Sequence, residues 1–592
     1  MPLFVEELTR SVLESGLLRE APDRWVLERA LPPFAIPATL HDSLMARLDR
    51  LASMRRVAQI GAAIGREFSY MLLRAVSRLP ENELHAALAR LVGSELVFQR
   101  GTLPEAVYSF KHALVQDAAH SSLLRSSRQQ LHAQIATALE THSPELMESQ
   151  PEIFAQHYAE AGFVEKSVGC WGKAGQRSAA RSAMAEAAAQ FQKALDQLAL
   201  LPDNPERQRQ ELELRSGLGP ALIVVKGFAA PETGHTYARA RELWEQLGSP
   251  LEYLWIPYGY SRYCRAVGMD QAPRLDEDLL CLSSQRYDSA GLVLGYLSTG
   301  RNLMWTGRFA SSRSRLEKVL ALYDPPSHRS LAHLIGLYPQ VESQAFLGIV
   351  LFCLGYPDQA LARSSAAIAE ARRLAHMPSL AHCLAFDARL HSLDGDNAAL
   401  GERAGELIAV ATEQSFPERR GHGVIYRGWA KVKNGDVAEG TSLLRSGSTG
   451  LRATGREAGA PHFMTLLAKA CEIAGQTDAA VTLLDDALRI IETLGQHWFA
   501  AEVSRHKGEL LLRQGQAEAA EDLYRKALSI AREQEAKLWE LRASMSLARL
   551  WRDQGRRAEA RDFLAPVYGW FTEGFDTPDL REAKALLDGL AT

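Results

Sequence analysis

The amino-acid sequence predicts a mainly α fold: a small domain of helices with a two-stranded wing, then a long α-solenoid of about 40-residue repeats. Three observations carry that expectation. A glycine returns every 40 residues through the C-terminal half: Gly355, Gly395, Gly435, Gly475, Gly515 and Gly555. Small residues keep fixed offsets on both sides of it. The first 140 residues break this rhythm with proline punctuation and two short β-branched and aromatic runs.

At 592 residues the chain exceeds the roughly 250–300 at which single cores stop growing, so several units are expected. Apolar content of 46% and charged content of 23% are ordinary for a folded soluble chain. A formal charge of −4 gives no electrostatic reason for nucleic acid as the main partner. Cys170, Cys264, Cys281, Cys353, Cys383 and Cys471 show no C-x-x-C and no matching histidine spacing. They read as reduced thiols, and the cytoplasm is the expected compartment. No basic segment with an apolar core opens the chain, so no signal peptide is expected. The longest strongly apolar run, Phe346 to Tyr356, falls short of the ~20 residues that cross a bilayer, so no membrane partner is expected.

The spacing of the repeats has a mechanical meaning. Seven positions before each glycine stands a small residue: Gly348, Ala388, Gly428, Ala468, Gly508 and Ala548. Five positions after it come Ala360, Leu400, Gly440, Ala480, Ala520 and Ala560. Residues five, nine and twelve after the glycine share one helix face, as Ala520, Tyr524 and Ala527 do. Each unit is therefore a helix, a glycine turn in the left-handed conformation and a second helix packed closely on the first. The pattern resembles the tetratricopeptide repeat, whose usual period is about 34 residues. Upstream, Gly300 and Gly307 fit the same template, and Asp324-Pro-Pro-Ser in the longer gap before Gly355 reads as a loop. A further pair is expected at 165–202, on Gly175, Ala187, Phe191, Ala194 and Pro202. Residues 203–300 read as helical pairs of weaker register, broken at Leu218-Gly-Pro and Gly227.

The N-terminal part is ordered differently. A short helix is expected before Leu31-Pro-Pro-Phe-Ala-Ile-Pro, then helices at about 40–64, 69–78 and 81–93. Two strands follow, Glu95 to Arg100 and Ala106 to Phe110, with a helix from near His112. Helices followed by a two-stranded wing are the order of a winged-helix domain. The expected division is 1–35, a winged helix over 36–140, divergent helical repeats over 141–300 and the tetratricopeptide-like solenoid with its cap over 301–592.

With these segments placed, the chain resembles the C-terminal part of a bacterial signalling protein. That type joins a class III adenylate/guanylate cyclase, a P-loop ATPase of the signal-transducing STAND kind, a winged helix and tetratricopeptide-like repeats. The residues that carry the resemblance are MPLFVEELTRSVLESGLL at 1–18, IPATLHDSLMARLDRL at 36–51 and YSFKHALVQDAAHSSLL at 108–124, with LFCLGYPDQALARS at 351–364, RGWAKVKNGD at 427–436 and RHKGELLL at 505–512. The stretch SLARLWRDQGRRAEARDFLAPVYGWFTEGFDTPDLREAKALL near the C-terminus is the most specific. The resemblance implies that 1–35 is the remnant of the end of an ATPase module. Such proteins place Gly-Asn-Pro-Leu-Phe just after the ATPase core, and here the sequence opens Met1-Pro2-Leu3-Phe4. No G-x-x-x-x-G-K-[ST] and no cyclase module is present, so ATP hydrolysis and cyclase activity are not carried over. The chain as given is expected to be no enzyme and to hold no cofactor, ATP or ADP belonging only to a longer form.

By the resemblance Pro2 would touch the adenine and His112 the β-phosphate of ADP if an ATPase core were present; otherwise Pro2 starts a helix and His112 ends the wing. His112, Asp117 and His120 are not spaced as a metal site, so no metal is expected. The helix at 81–93 carries Glu81, Glu83 and a single arginine, Arg90, a poor reader of DNA. Trp570, Phe571 and Phe575 are expected to close the last repeat. A protein or peptide is the expected partner, on the concave face of the solenoid, with Tyr426, His462 and Arg505 as candidates there. Two functions compete: the sensor and scaffold region of a cyclase–ATPase signalling protein, or a stand-alone repeat adaptor without a nucleotide link. A winged-helix DNA-binding regulator is a third.

Overall fold

The structure is a computed structural model that describes residues 18–21, 24–27, 52–269, 271–453 and 459–591. The chain divides into two compact units, 1–174 with 193–202, and 175–192 with 203–592.

In the first unit, helices Ala52–Ile64, Tyr70–Ser77 and Glu81–Gly93 and strands β4 (Val97–Arg100) and β5 (Val107–Phe110) fall close to the expected segments. Residues 40–51 and the region expected to hold the first short helix lie mostly outside the described residues. There β1 (Leu18–Ala21) and β2 (Arg24–Leu27) pair antiparallel, where no strand was expected. A further strand not expected from the sequence, β3 (Glu67–Ser69), pairs antiparallel with β5 and makes a three-stranded sheet of order β3-β5-β4. Three residues are too few to show alternation. The signal was Ser69, whose side chain accepts from the Leu72 backbone N–H and starts the next helix. Phe68 from β3 stacks on Tyr108 at 5.8 Å, and its ring lies so close to Gly61 that a Cβ there would meet it at 2.7 Å. Helices Ala113–Ser121, Arg125–His142 and Pro151–Ala161 complete this core.

The second unit is a succession of helix hairpins. The glycines at 355, 395, 435, 475, 515 and 555 all take positive φ, between 75° and 97°, and end the first helix of each pair as the spacing predicts. The offsets are close approaches. A Cβ on Gly428 would meet the Gly440 carbonyl oxygen at 2.8 Å, and one on Gly508 would meet the Tyr524 ring at 2.7 Å. Two expectations fail. The helix Pro205–Lys226 runs unbroken through Leu218-Gly-Pro and ends only before Gly227. Gly219 there admits the Tyr237 ring, where a Cβ would lie 2.6 Å away, so packing outweighs the lost N–H of Pro220. The segment after Asp324 is not a loop: Asp324 caps a short helix, Pro325–His328, and a second follows at Leu331–Ile335.

The two helices of a hairpin are buried differently. Second helices such as Ala517–Glu533 bury one stripe, Ala520, Tyr524, Ala527, Leu528 and Ala531. First helices such as Met377–Asp394 are buried nearly all round. The cause is closure of the solenoid on itself. Trp305 meets Trp498 edge to face at 5.8 Å, Phe352 meets Trp539 at 6.1 Å, and Trp570 packs on Tyr356 at 5.6 Å. The terminal cluster thus reaches back to the turn at Gly355, with Phe571 buried and Phe575 half-exposed against Tyr568. No helix among the described residues is long and apolar enough to cross a membrane.

Candidate functional site

Closure changes what the inner face is. Tyr426, His462 and Arg505 lie on first helices as expected, but they are only 0%, 0% and 8% exposed. First helices from distant repeats face one another across the interior. Between them remains a polar cavity of about 330 Å³ in the second unit, and His462 and Arg505 line it.

One ladder of ion pairs walls this cavity. Arg505 donates from Nε and Nη2 to the two oxygens of Glu502, at 2.7 and 3.1 Å. Arg542 donates from Nη1 to Glu502 at 3.0 Å and grips Asp579 with two bonds, at 2.8 and 2.7 Å. Glu509 accepts from Arg505 and pairs with His506 at 2.8 Å. Glu502, Arg505 and Glu509 share a face of Ala500–Arg513 by their spacing of three and four, a pattern visible in the sequence. Burial raises the Glu502 carboxyl, but Arg505 and Arg542 outweigh it and hold it well below the usual carboxylate range. Burial, with Arg505 and Lys469 nearby, brings His506 down to about 3, and burial keeps His462 neutral as well.

Lys469 stands apart. No hydrogen bond or ion pair engages its amine among the described residues, although it lines the cavity. Burial first, then Arg505, brings it down from 10.5 to about 8. Three carboxylates against two guanidiniums leave the ladder one negative charge, which the ammonium balances through space. The ladder and the Lys469 ammonium are thus neutral together, and the amine keeps its donors unengaged on the cavity wall.

The remaining candidates fall elsewhere. Pro2 lies outside the described residues. His112 is the residue before helix Ala113–Ser121, its side chain caps nothing, and its Nε2 is buried without a partner among the described residues. Asp117 is exposed, and His120 meets His132, Nε2 to Nε2, at 3.3 Å. His132 in turn meets His157, Nδ1 to Nδ1, at 2.9 Å, which makes a chain of three imidazoles beside a cleft of about 450 Å³. It was not legible in the sequence, because the three come from separate helices.

No protein-family model matches the chain. An uncharacterized protein of Rhizobium meliloti (strain 1021) is 27% identical over 561 residues, which cover 93% of this chain and 53% of that protein. The chain thus spans about half the length of the curated relative it matches. Among solved structures, it is similar to a Rap protein complexed with competence and sporulation factor, at 12% identity and a TM-score of 0.44, over 62% of this chain and 98% of that one. It is also similar to a STAND protein with a tetratricopeptide repeat sensor from Pyrococcus horikoshii, at 12% identity and a TM-score of 0.29, over 94% and 67%.

Proposed function

We propose that the chain is a protein-interaction and sensor scaffold, non-catalytic as given, that recognises a peptide segment at the polar interior of its repeats. The observation that carries this reading is the amine of Lys469, which lines the polar cavity beside the ion-pair ladder with no hydrogen bond or ion pair of its own among the described residues. A ligand carboxylate or carbonyl is the complement such a donor takes. A second observation bears on the signalling context. The order helix, strand, helix, helix, strand, strand over residues 52–110 supports a winged helix there. That order, and the motifs that resemble cyclase–ATPase signalling proteins, favour a sensor region over an adaptor with no nucleotide link. The helix Glu81–Gly93 exposes Glu81 and Glu83, which speaks against duplex DNA as its ligand.

The test is selection of binders from a random-peptide library on the purified full chain, repeated with Lys469→Met. Peptides that bind the chain and lose at least ten-fold in affinity with Lys469→Met support the reading. Selected peptides that bind both forms equally would place recognition outside the cavity.

A further inference from the structure

A second interior hollow, sharing no residue with the first, is built of arginines. Arg262, Arg265, Arg301 and Arg419 line it, with Glu342 as the one carboxylate among the lining residues. Arg262 and Arg301 approach Glu342 at 3.2 and 3.7 Å, and both donate to the Tyr258 hydroxyl at 3.3 Å. Arg419 donates to His382 at 3.0 Å and lies 3.7 Å from Glu418. Arg265 has no such partner: its Nε and Nη2 are buried without a hydrogen bond. Asp276, the carboxylate whose charge acts on Arg265, is pushed toward its protonated form by burial and takes a 2.5 Å bond from Ser298. Four guanidiniums thus face at most three carboxylates.

An arginine does not escape such a position by losing its proton. Burying a guanidinium edge with nothing to accept from it is costly, and a bound anion removes that cost. The hollow also limits which anion fits. Its free volume is about 40 Å³, where one water needs roughly 10–15 Å³, so a small group such as a carboxylate enters and a nucleotide does not. The missing charge is about one, which suits a monoanion. Phe228, Trp305, Phe346 and Phe386 wall it, and an apolar hollow between Ile223, Ile335 and Pro378 adjoins it across Phe228 and Arg419.

We infer that this hollow is a binding site for a monocarboxylate carrying an apolar or aromatic group, held by the fork of Arg265 with its tail toward Phe228. The carboxylate can come from a free small acid or from the C-terminus of a peptide. The experiment separates these sources: calorimetric titration of the full chain with phenylacetate, with phenylacetamide, and with a short peptide ending in phenylalanine as free acid or as amide. Phenylacetate binding at least ten-fold tighter than phenylacetamide establishes a small-acid site. The same preference shown only by the peptide pair assigns the site to a peptide C-terminus. In either case Arg265→Gln removes the preference, and Arg265→Lys, which keeps charge without the fork, weakens it several-fold. Circular dichroism checks that both variants fold; where Arg265→Gln does not, Arg265→Lys carries the test. Equal binding of acid and amide, or an acid preference that survives in the folded variant, would overturn the inference.

Discussion

Gln359 donates from its side-chain amide to Glu573 at 2.7 Å and from its backbone N–H to the same carboxylate at 3.0 Å, joining positions 214 apart in the chain. Asp358 repeats the link by accepting from the Gly574 N–H at 3.0 Å. Helical repeats that only stack would leave these residues far apart. The second unit is instead a solenoid whose late repeats pack back against the inner face of its earlier ones.

Closure makes stability shared rather than local. Trp498 is fully buried and touches Trp305, His462 and Phe499. Trp498→Ala is expected to cost about 3–5 kcal/mol and to raise hydrogen exchange near Trp305 as well as near residue 498. Chemical denaturation and exchange mapped by mass spectrometry check both. Loss of protection confined to the neighbouring repeat would argue for an open stack.

The close helix approaches give a paired test. Gly428→Ala places a methyl against backbone atoms at 2.8 and 2.9 Å, which cannot yield cheaply, and is expected to cost about 1–3 kcal/mol. Gly450→Ala meets nothing within 4 Å on an exposed helical position and should stabilise by about 0.5–1 kcal/mol. Denaturation midpoints of the two variants should move in opposite directions.

In the first unit, burial brings His132 down to about 3 and His157 to about 4, both below the ordinary 6.5. A histidine whose folded value is depressed takes up its proton more readily when unfolded. The stability is present above pH 6.5 and falls as pH drops toward 4, by about 1.4 kcal/mol per pH unit for each group. Urea midpoints of the first unit between pH 7 and 4.5 check this, and His132→Gln should flatten the slope. An unchanged slope would mean that the imidazole chain does not titrate on unfolding.

Lys469 sets a second pH window. Its amine, brought down to about 8, is charged below that value and neutral above it. A carboxylate ligand in the cavity should therefore lose affinity as pH rises from 7 to 9, while Lys469→Arg, which stays charged, should hold it constant. Calorimetric titration at the two ends of that range is sufficient.

The sequence showed what local chemistry decides. The six glycines were legible because ending a helix in the left-handed conformation calls for that residue. The opposite turns, between hairpins, were not: Ala375, Ser415 and Glu535 take positive φ there without being glycine. The ladder of Glu502, Arg505 and Glu509 was visible as spacing, yet spacing alone reads as a solvated face. Its burial follows from Arg542 and Asp579, which come from other repeats and depend on how far the solenoid turns. Arg505 and His462 were reached by sequence for the right helix, while their burial was not. Lys469 and the Arg265 hollow were missed, since a lone cation shows its lack of a partner only once its surroundings are built.

The central claim is that recognition occurs inside the closed repeats. Hydrogen exchange of the full chain, with and without a selected peptide, tests it most directly. The claim predicts new protection in Ala460–Ile473 and Ala500–Arg513, with the outer helices Thr477–Leu494 and Ala517–Glu533 unchanged. Protection confined to those outer helices would contradict it.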